Sequence, residues 1–345
     1  MEPTINKNRI HLIDLIRGFA LLGLPFVNVI ALWISKMNLS ETQGDIWVQR
    51  FLYIFVEGRF YAIFSFLFGL GLWIFLSRAK EKNNRPYILF IRRITILAIA
   101  GLIHQLMQPG EALLVYAILS IPALFFEKIP KRINLVLGVS GIVMGSIAGN
   151  KLLLTLPLML LGLAFGQYEI FERCKSKRKI WGVVFILSCI VTIILTVFLW
   201  KTAPEHGSVS YAEGTELTES QIESNQDFNQ FMYLSTSLAP IYSVLYVSFL
   251  VMLEPLATKL LSPLNAFGRM AFTNYVGQTL VLLLVALFIS TDTFVSYTFA
   301  TIICTIVVMT QIIFSVFWLK YFKYGPLEWL WRCGTYGQWL SISKK

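Results

Sequence analysis

Apolar residues run through this chain in long unbroken blocks, and polar residues gather between the blocks. Ten blocks stand out: 11–34, 51–76, 88–107, 112–127, 133–149, 152–168, 180–200, 237–253, 273–290 and 295–319. A helix rising 1.5 Å per residue needs about twenty apolar residues to cross the hydrocarbon of a bilayer. Half of the blocks reach twenty residues, and 112–127, 133–149 and 152–168 are among the shorter ones. Lipid offers no partner for backbone N–H and C=O groups, so each block is predicted to be an α-helix. A β-barrel would alternate apolar and polar positions in segments of about ten residues. The pattern predicts an all-α fold: a polytopic membrane helix bundle of about ten transmembrane helices, one domain over 1–345.

Composition agrees. Hydrophobic residues make up 56% of the 345, charged residues only 14%, and mean hydropathy is +0.68. A soluble domain carries about 25% charged residues. The first block is long and contains Asp14 and Arg17, so it is read as a span and not as a cleaved signal peptide.

The net charge of +10 changes meaning once it is placed. With ten spans and both termini cytoplasmic, most of the Lys and Arg fall in inner segments. The outer segments hold Lys36, Arg50, Lys151 and Lys201. This is the positive-inside bias. It points to the bilayer and its anionic lipid heads as partners and away from nucleic acid. The outer loop 201–236 is acidic, and Thr218 with Gln221 three residues on suggests a capped surface helix. The segment 320–345 is a cytoplasmic interfacial tail with Trp329 and Trp331. Glu328 and Arg332, four apart, are expected to pair. The cysteine spacing matches no metal motif, and no metal is expected.

Charged and polar groups inside the spans carry the candidate chemistry, because each is costly in hydrocarbon. Asp14 and Arg17, three apart, share a helix face. They are either a structural ion pair or a phosphate site open to the cytoplasm. Glu57 and Arg59, two apart in the outer half of a span, must each find a partner on another helix. His104 and Glu111 flank the Pro109–Gly110 turn. They are either a plain hydrogen-bonded pair or a base with its orienting carboxylate. In "GRMAFTNYVGQTLV", Asn274 and Gln278 form one stripe with Tyr275 beside it, and Arg269 precedes them. That face either glues helices or walls a polar cavity opposite Asp14 and Arg17.

Five stretches, "LIDLIRGFALLGLPFVNV", "FYAIFSFLFGLGL", "LIHQLMQPGEALLVYA", "GRMAFTNYVGQTLV" and "FWLKYFKYGPLEWLWR", occur in this order over nearly the whole chain. The set resembles the YeiB-like family of bacterial inner-membrane proteins. The first stretch is also distantly similar to the opening helix of transmembrane acyltransferases, both the sugar O-acetyltransferases and the heparan-α-glucosaminide N-acetyltransferases. That resemblance implies a bacterial cytoplasmic-membrane protein that passes an acyl group from cytoplasmic acyl-CoA to an extracytoplasmic glycan or envelope acceptor. It places Asp14 and Arg17 near the CoA. Arg269, Arg92 and Arg93 are taken as further phosphate ligands. His104 and Glu111 are taken as catalytic. Asn28, Glu57, Arg59, Asn274, Tyr275 and Gln278 are taken as channel lining. The chain departs from the O-acetyltransferases at Asn28, where they carry histidine, and the family's usual Asp is Glu111 here. The same polar path also fits a transporter or exporter of a small polar or lipid-linked molecule.

Overall fold

The structure, a computed structural model, describes residues 10–33, 42–82, 85–108, 110–174, 176–204, 218–289 and 295–344. Residues 205–217 of the acidic loop, Pro109 and the Gln221 side chain lie outside the described residues. Among the described residues, thirteen α-helices follow one another: α1 (His11–Leu32), α2 (Gln43–Phe55), α3 (Arg59–Glu81), α4 (Pro86–Gln105), α5 (Ala112–Phe125), α6 (Lys131–Ile147) and α7 (Lys151–Gln167). Then come α8 (Arg178–Thr202), α9 (Glu219–Leu253), α10 (Ser262–Arg269), α11 (Ala271–Phe288), α12 (Tyr297–Tyr321) and α13 (Pro326–Tyr336).

Seven helical segments among the described residues are long and apolar enough to cross a membrane, with α2 and α3 taken as one segment. The expected spans at 112–127, 133–149 and 152–168 correspond to α5, α6 and α7, of 14, 17 and 17 residues. These are shorter than a full crossing requires. The faces of α8 that carry Ile186, Ile190, Ile193, Ile194 and Val197 are exposed, as expected of a helix whose solvent is lipid.

Two further elements differ from the sequence reading. The block 51–76 is not one helix: the chain breaks at Val56–Gly58, where Gly58 takes φ +77°, a conformation that glycine adopts without steric cost. The expected surface helix near Thr218 is the first part of α9, which runs 35 residues without interruption.

Helix α3 is the hub, packed on α7, α1, α9, α4 and α5. It approaches α7 closely because both present glycine: a Cβ on Gly69 would collide with the Met159 carbonyl, and one on Gly162 with that of Phe66. Helices α1 and α10 meet the same way, Gly18 against Leu264 and Gly268 against the Asp14 carbonyl. The glycines of the first and fourth family-like stretches therefore lock together, which sets Asp14 and Arg269 at one level.

Candidate functional site

A cavity of about 1650 Å³ opens along α3, larger than the few hundred to 1,000 Å³ of an ordinary small-molecule pocket. Residues of this one stretch line it from Glu57 to Lys82, about 37 Å of helix axis. That exceeds the roughly 30 Å of bilayer hydrocarbon. The middle is apolar, walled by Phe60, Phe64, Leu67, Phe68, Leu72 and Phe75. The two ends are polar and unlike.

One end is a basic vestibule. Arg17, Arg78, Lys82, Arg93, Arg269, Lys323, Arg332 and Lys344 line it, against only Asp14 and Glu328. Arg17 donates Nη1 to Asp14 Oδ1 at 2.9 Å and keeps 31% of its side chain exposed. Arg93 lies within electrostatic range of Arg332 and Arg17. Its guanidinium stacks 3.6 Å from the Trp331 ring centroid, and Trp331 Nε1 donates to the Arg93 carbonyl at 2.8 Å. Arg269 Nη2 donates to the Lys323 carbonyl at 3.3 Å. Burial, with the Arg269 charge nearby, holds the Lys344 ammonium below the usual lysine range. So many like charges in one hollow make its potential positive by Coulomb's law. Arg92, expected among the phosphate ligands, is exposed on α4 and does not line the cavity.

The C-terminal segment forms the floor of this vestibule. Glu328 does not pair with Arg332 as its spacing suggested. Its carboxylate accepts from Phe272 N at 2.7 Å, Thr273 N at 3.2 Å and Thr273 Oγ1 at 2.5 Å. It therefore caps the N-terminus of α11, where backbone donors lack helical partners. Arg332 instead lies 4.5 Å over the Tyr324 ring. Burial pushes the Glu328 carboxyl up, against those hydrogen bonds.

Midway along the cavity, Asn28, Glu111, Tyr116 and Tyr275 reach the wall. Glu111 caps α5, accepting from Leu113 N at 2.8 Å and Leu114 N at 2.7 Å. His104 Nδ1 lies 3.1 Å from Glu111 Oε1, and Nε2 lies 2.9 Å from Thr279 Oγ1. The tautomer that satisfies both donates from Nδ1 to the carboxylate and accepts at Nε2. The ring packs 5.0 Å from that of Tyr275. The Tyr275 hydroxyl is within hydrogen-bonding reach of Glu111, Ala112 N–H and the Asn28 side chain. Asn28 Nδ2 is buried and makes no hydrogen bond of ordinary geometry among the described residues, the Tyr275 hydroxyl being the polar group beside it.

Sequence reasoning put His104 on the reacting group with Glu111 behind it, but the order in space is reversed. His104 is 0% exposed and off the cavity, while Glu111 faces it. Asn274 and Gln278 also leave the wall. Asn274 Nδ2 donates to the Phe267 carbonyl at 3.1 Å and Ser315 Oγ at 2.9 Å, and Gln278 Nε2 to the Leu21 carbonyl at 3.4 Å. They fasten α11 to its neighbours and do not line this cavity. Arg59 is likewise buried off the cavity. Wall residues missed by sequence reasoning include Tyr61, Tyr116 and Lys151, together with Arg78, Lys82, Lys323, Arg332 and Lys344 of the vestibule. A hydroxyl or amine inside or beside an apolar block was the only signal of the first three.

A family model described as "Protein of unknown function (DUF418)" matches residues 165–338. The "uncharacterized 39.9 kDa protein in amylase 3'region" of Bacillus acidopullulyticus is 40% identical, with 100% of this chain and 99% of that protein covered. The uncharacterized protein YxaH of Bacillus subtilis is 26% identical over 100% and 98% of the two chains. The uncharacterized protein YeiB of Escherichia coli is 25% identical over 93% and 94%. No solved structure matches.

Proposed function

The chain belongs to the DUF418 family, and from that premise we propose that it transfers an acyl group from cytoplasmic acyl-CoA to an extracytoplasmic acceptor. One observation carries the reading: a single cavity joins a vestibule crowded with Arg and Lys to a polar station deep between the helices. The vestibule suits a phosphate-rich ligand, since guanidinium groups bind phosphate with charge-assisted, often bidentate hydrogen bonds. In this reading it faces the cytoplasm, in keeping with the positive-inside bias.

The spacing also fits. Eleven residues of α1 separate Arg17 from Asn28, about 16 Å along the helix axis. The arm of CoA between its phosphates and its sulfur has twelve bonds and spans roughly 15 Å when extended. Phosphates held at Arg17 set the thioester beside Asn28, Tyr275 and Glu111. The acceptor's hydroxyl or amine attacks the thioester carbonyl. A C–O or C–N bond forms, the C–S bond breaks, and the acceptor's proton leaves with the sulfur as free CoA thiol. Asn28 Nδ2 can donate to the carbonyl oxygen as charge develops there. Glu111 already accepts from His104 and two backbone amides. With those acceptor positions taken, it serves to position Tyr275.

The test is calorimetric titration of CoA into the protein in nanodiscs, with thiol release from acetyl-CoA followed in parallel. Arg17→Ala is expected to weaken CoA binding by roughly 10–100-fold, the worth of a hydrogen bond to a charged group. A wild-type protein that ignores CoA at millimolar concentration and releases no thiol rules the reading out. The position of His104 off the wall favours a second reading, a carrier that moves its cargo along the same path without chemistry. Uptake of substrate into liposomes without CoA would select it.

A further inference from the structure

The end of the cavity away from the vestibule holds a charge imbalance that acyl transfer from CoA leaves unexplained. Arg59 opens α3 and is 0% exposed. Its Nη1 donates to the Glu57 carbonyl at 2.5 Å and to the Ser235 carbonyl and hydroxyl at 3.0 and 2.6 Å. The guanidinium lies 4.6 Å from the Tyr242 ring centroid. Nε and Nη2 make no hydrogen bond of ordinary geometry among the described residues, with the Tyr242 side chain the polar group within reach. The neighbouring carboxylate, Glu57, goes elsewhere: it pairs with Lys151, the first residue of α7.

Glu57 and Lys151 both line the cavity, and the Lys151 side chain is 40% exposed. Two cations therefore share one carboxylate. A buried cation with open N–H groups is costly, and such a group calls for an explanation. Glu57 supplies one. It sits in the break between α2 and α3, beside Gly58 at φ +77°, so its side chain is not committed to a regular helix face.

We propose that this end is a binding site for an oxyanion carried by the acceptor, a phosphate or carboxylate group. Lys151 takes the anion. Glu57, displaced from Lys151, closes onto the open N–H groups of Arg59. The occupied site then holds two ion pairs in place of one, with Arg59 gaining a carboxylate beside its carbonyl and hydroxyl acceptors. The proposal deepens the acyl-transfer reading and rests on it only for calling the ligand an acceptor.

The experiment needs no CoA, so its failure is distinguishable from failure of the reading itself. A cysteine replaces Tyr61 or, as a second reporter, Leu152 beside Lys151; both positions line the cavity. Each is labelled with neutral N-ethylmaleimide in nanodiscs, with inorganic phosphate or acetate as protectant. Both anions or one of them should slow labelling, and which does so separates phosphate from carboxylate recognition. Lys151→Gln should raise the half-protecting concentration about tenfold or more, since a charge-assisted bond is lost. Glu57→Gln should lower it severalfold, because the internal competitor is gone. Arg92→Gln, exposed on α4 and off the cavity, should leave it unchanged. The proposal is overturned if neither reporter labels, if neither anion protects, or if protection is indifferent to Lys151→Gln or Glu57→Gln.

Discussion

At the residue scale, the mid-cavity cluster shows how burial redirects chemistry. His104 was chosen from the sequence because imidazole titrates near neutral pH. In the fold both its nitrogens are engaged and its ring is packed on Tyr275. Replacing it with alanine leaves Glu111 and Thr279 each short of a partner in a dry site, at about 1–3 kcal/mol per group. His104→Ala is therefore expected to lower the thermal midpoint by several degrees while CoA affinity is kept. An unchanged midpoint with lost turnover would return the ring to the chemistry. Proximity of His104 and Glu111 was legible from their places around one turn. Which of them faces the hollow was not, because that depends on the rotation of α4 and α5 against α11.

At the element scale, glycine pairs and helix caps set the geometry. Gly162→Val places side-chain atoms on the Phe66 carbonyl. Forcing α3 and α7 apart should cost about 1–3 kcal/mol or more, read as a lower midpoint in thermal unfolding. Gly162 and Gly69 serve the α3–α7 contact, a pairing that the spacing of glycines along one helix does not reveal. The Glu328 cap offers a pH test. Burial raises its folded pKa above the ordinary 4.5, so between the two values the folded state binds more protons than the unfolded state. Stability then falls as pH rises through that window. Against Glu328→Gln, which cannot titrate, the wild-type midpoint should decline as pH climbs from about 4.5. Parallel midpoints for the two proteins would mean that the carboxyl is not shifted. The i,i+4 rule paired Glu328 with Arg332, but four unsatisfied donors at the start of α11 are a stronger claim on a buried carboxylate than an exposed helix pair.

At the scale of the whole molecule, the continuous cavity is the feature on which function turns. Gly71 lines its middle, and a Cβ there would meet open space. Gly71→Phe should fill the passage while leaving the fold intact, since losing a helical glycine is itself worth about 0.5–1 kcal/mol. Turnover or transport should vanish while the thermal midpoint holds or rises. Activity that survives the plug would mean that the two ends work separately. The sequence by itself determined the all-α membrane class, the position of most helices and the family, because hydrocarbon imposes length and apolarity on every span regardless of partners. It also marked Asp14 and Arg17, since charged groups inside apolar blocks are costly enough to stand out, and Glu111 and Arg269 at the edges of blocks, while Asn28 stood out only through the family resemblance. Only the tertiary structure decided that Asn274 and Gln278 are fasteners, that a break at Gly58 frees Glu57 to meet Lys151, and that Arg93 joins the vestibule while Arg92 does not. Neighbours such as Arg92 and Arg93 look alike to any rule of composition or spacing. They part company only when helix rotation and close packing set which side chain faces the hollow.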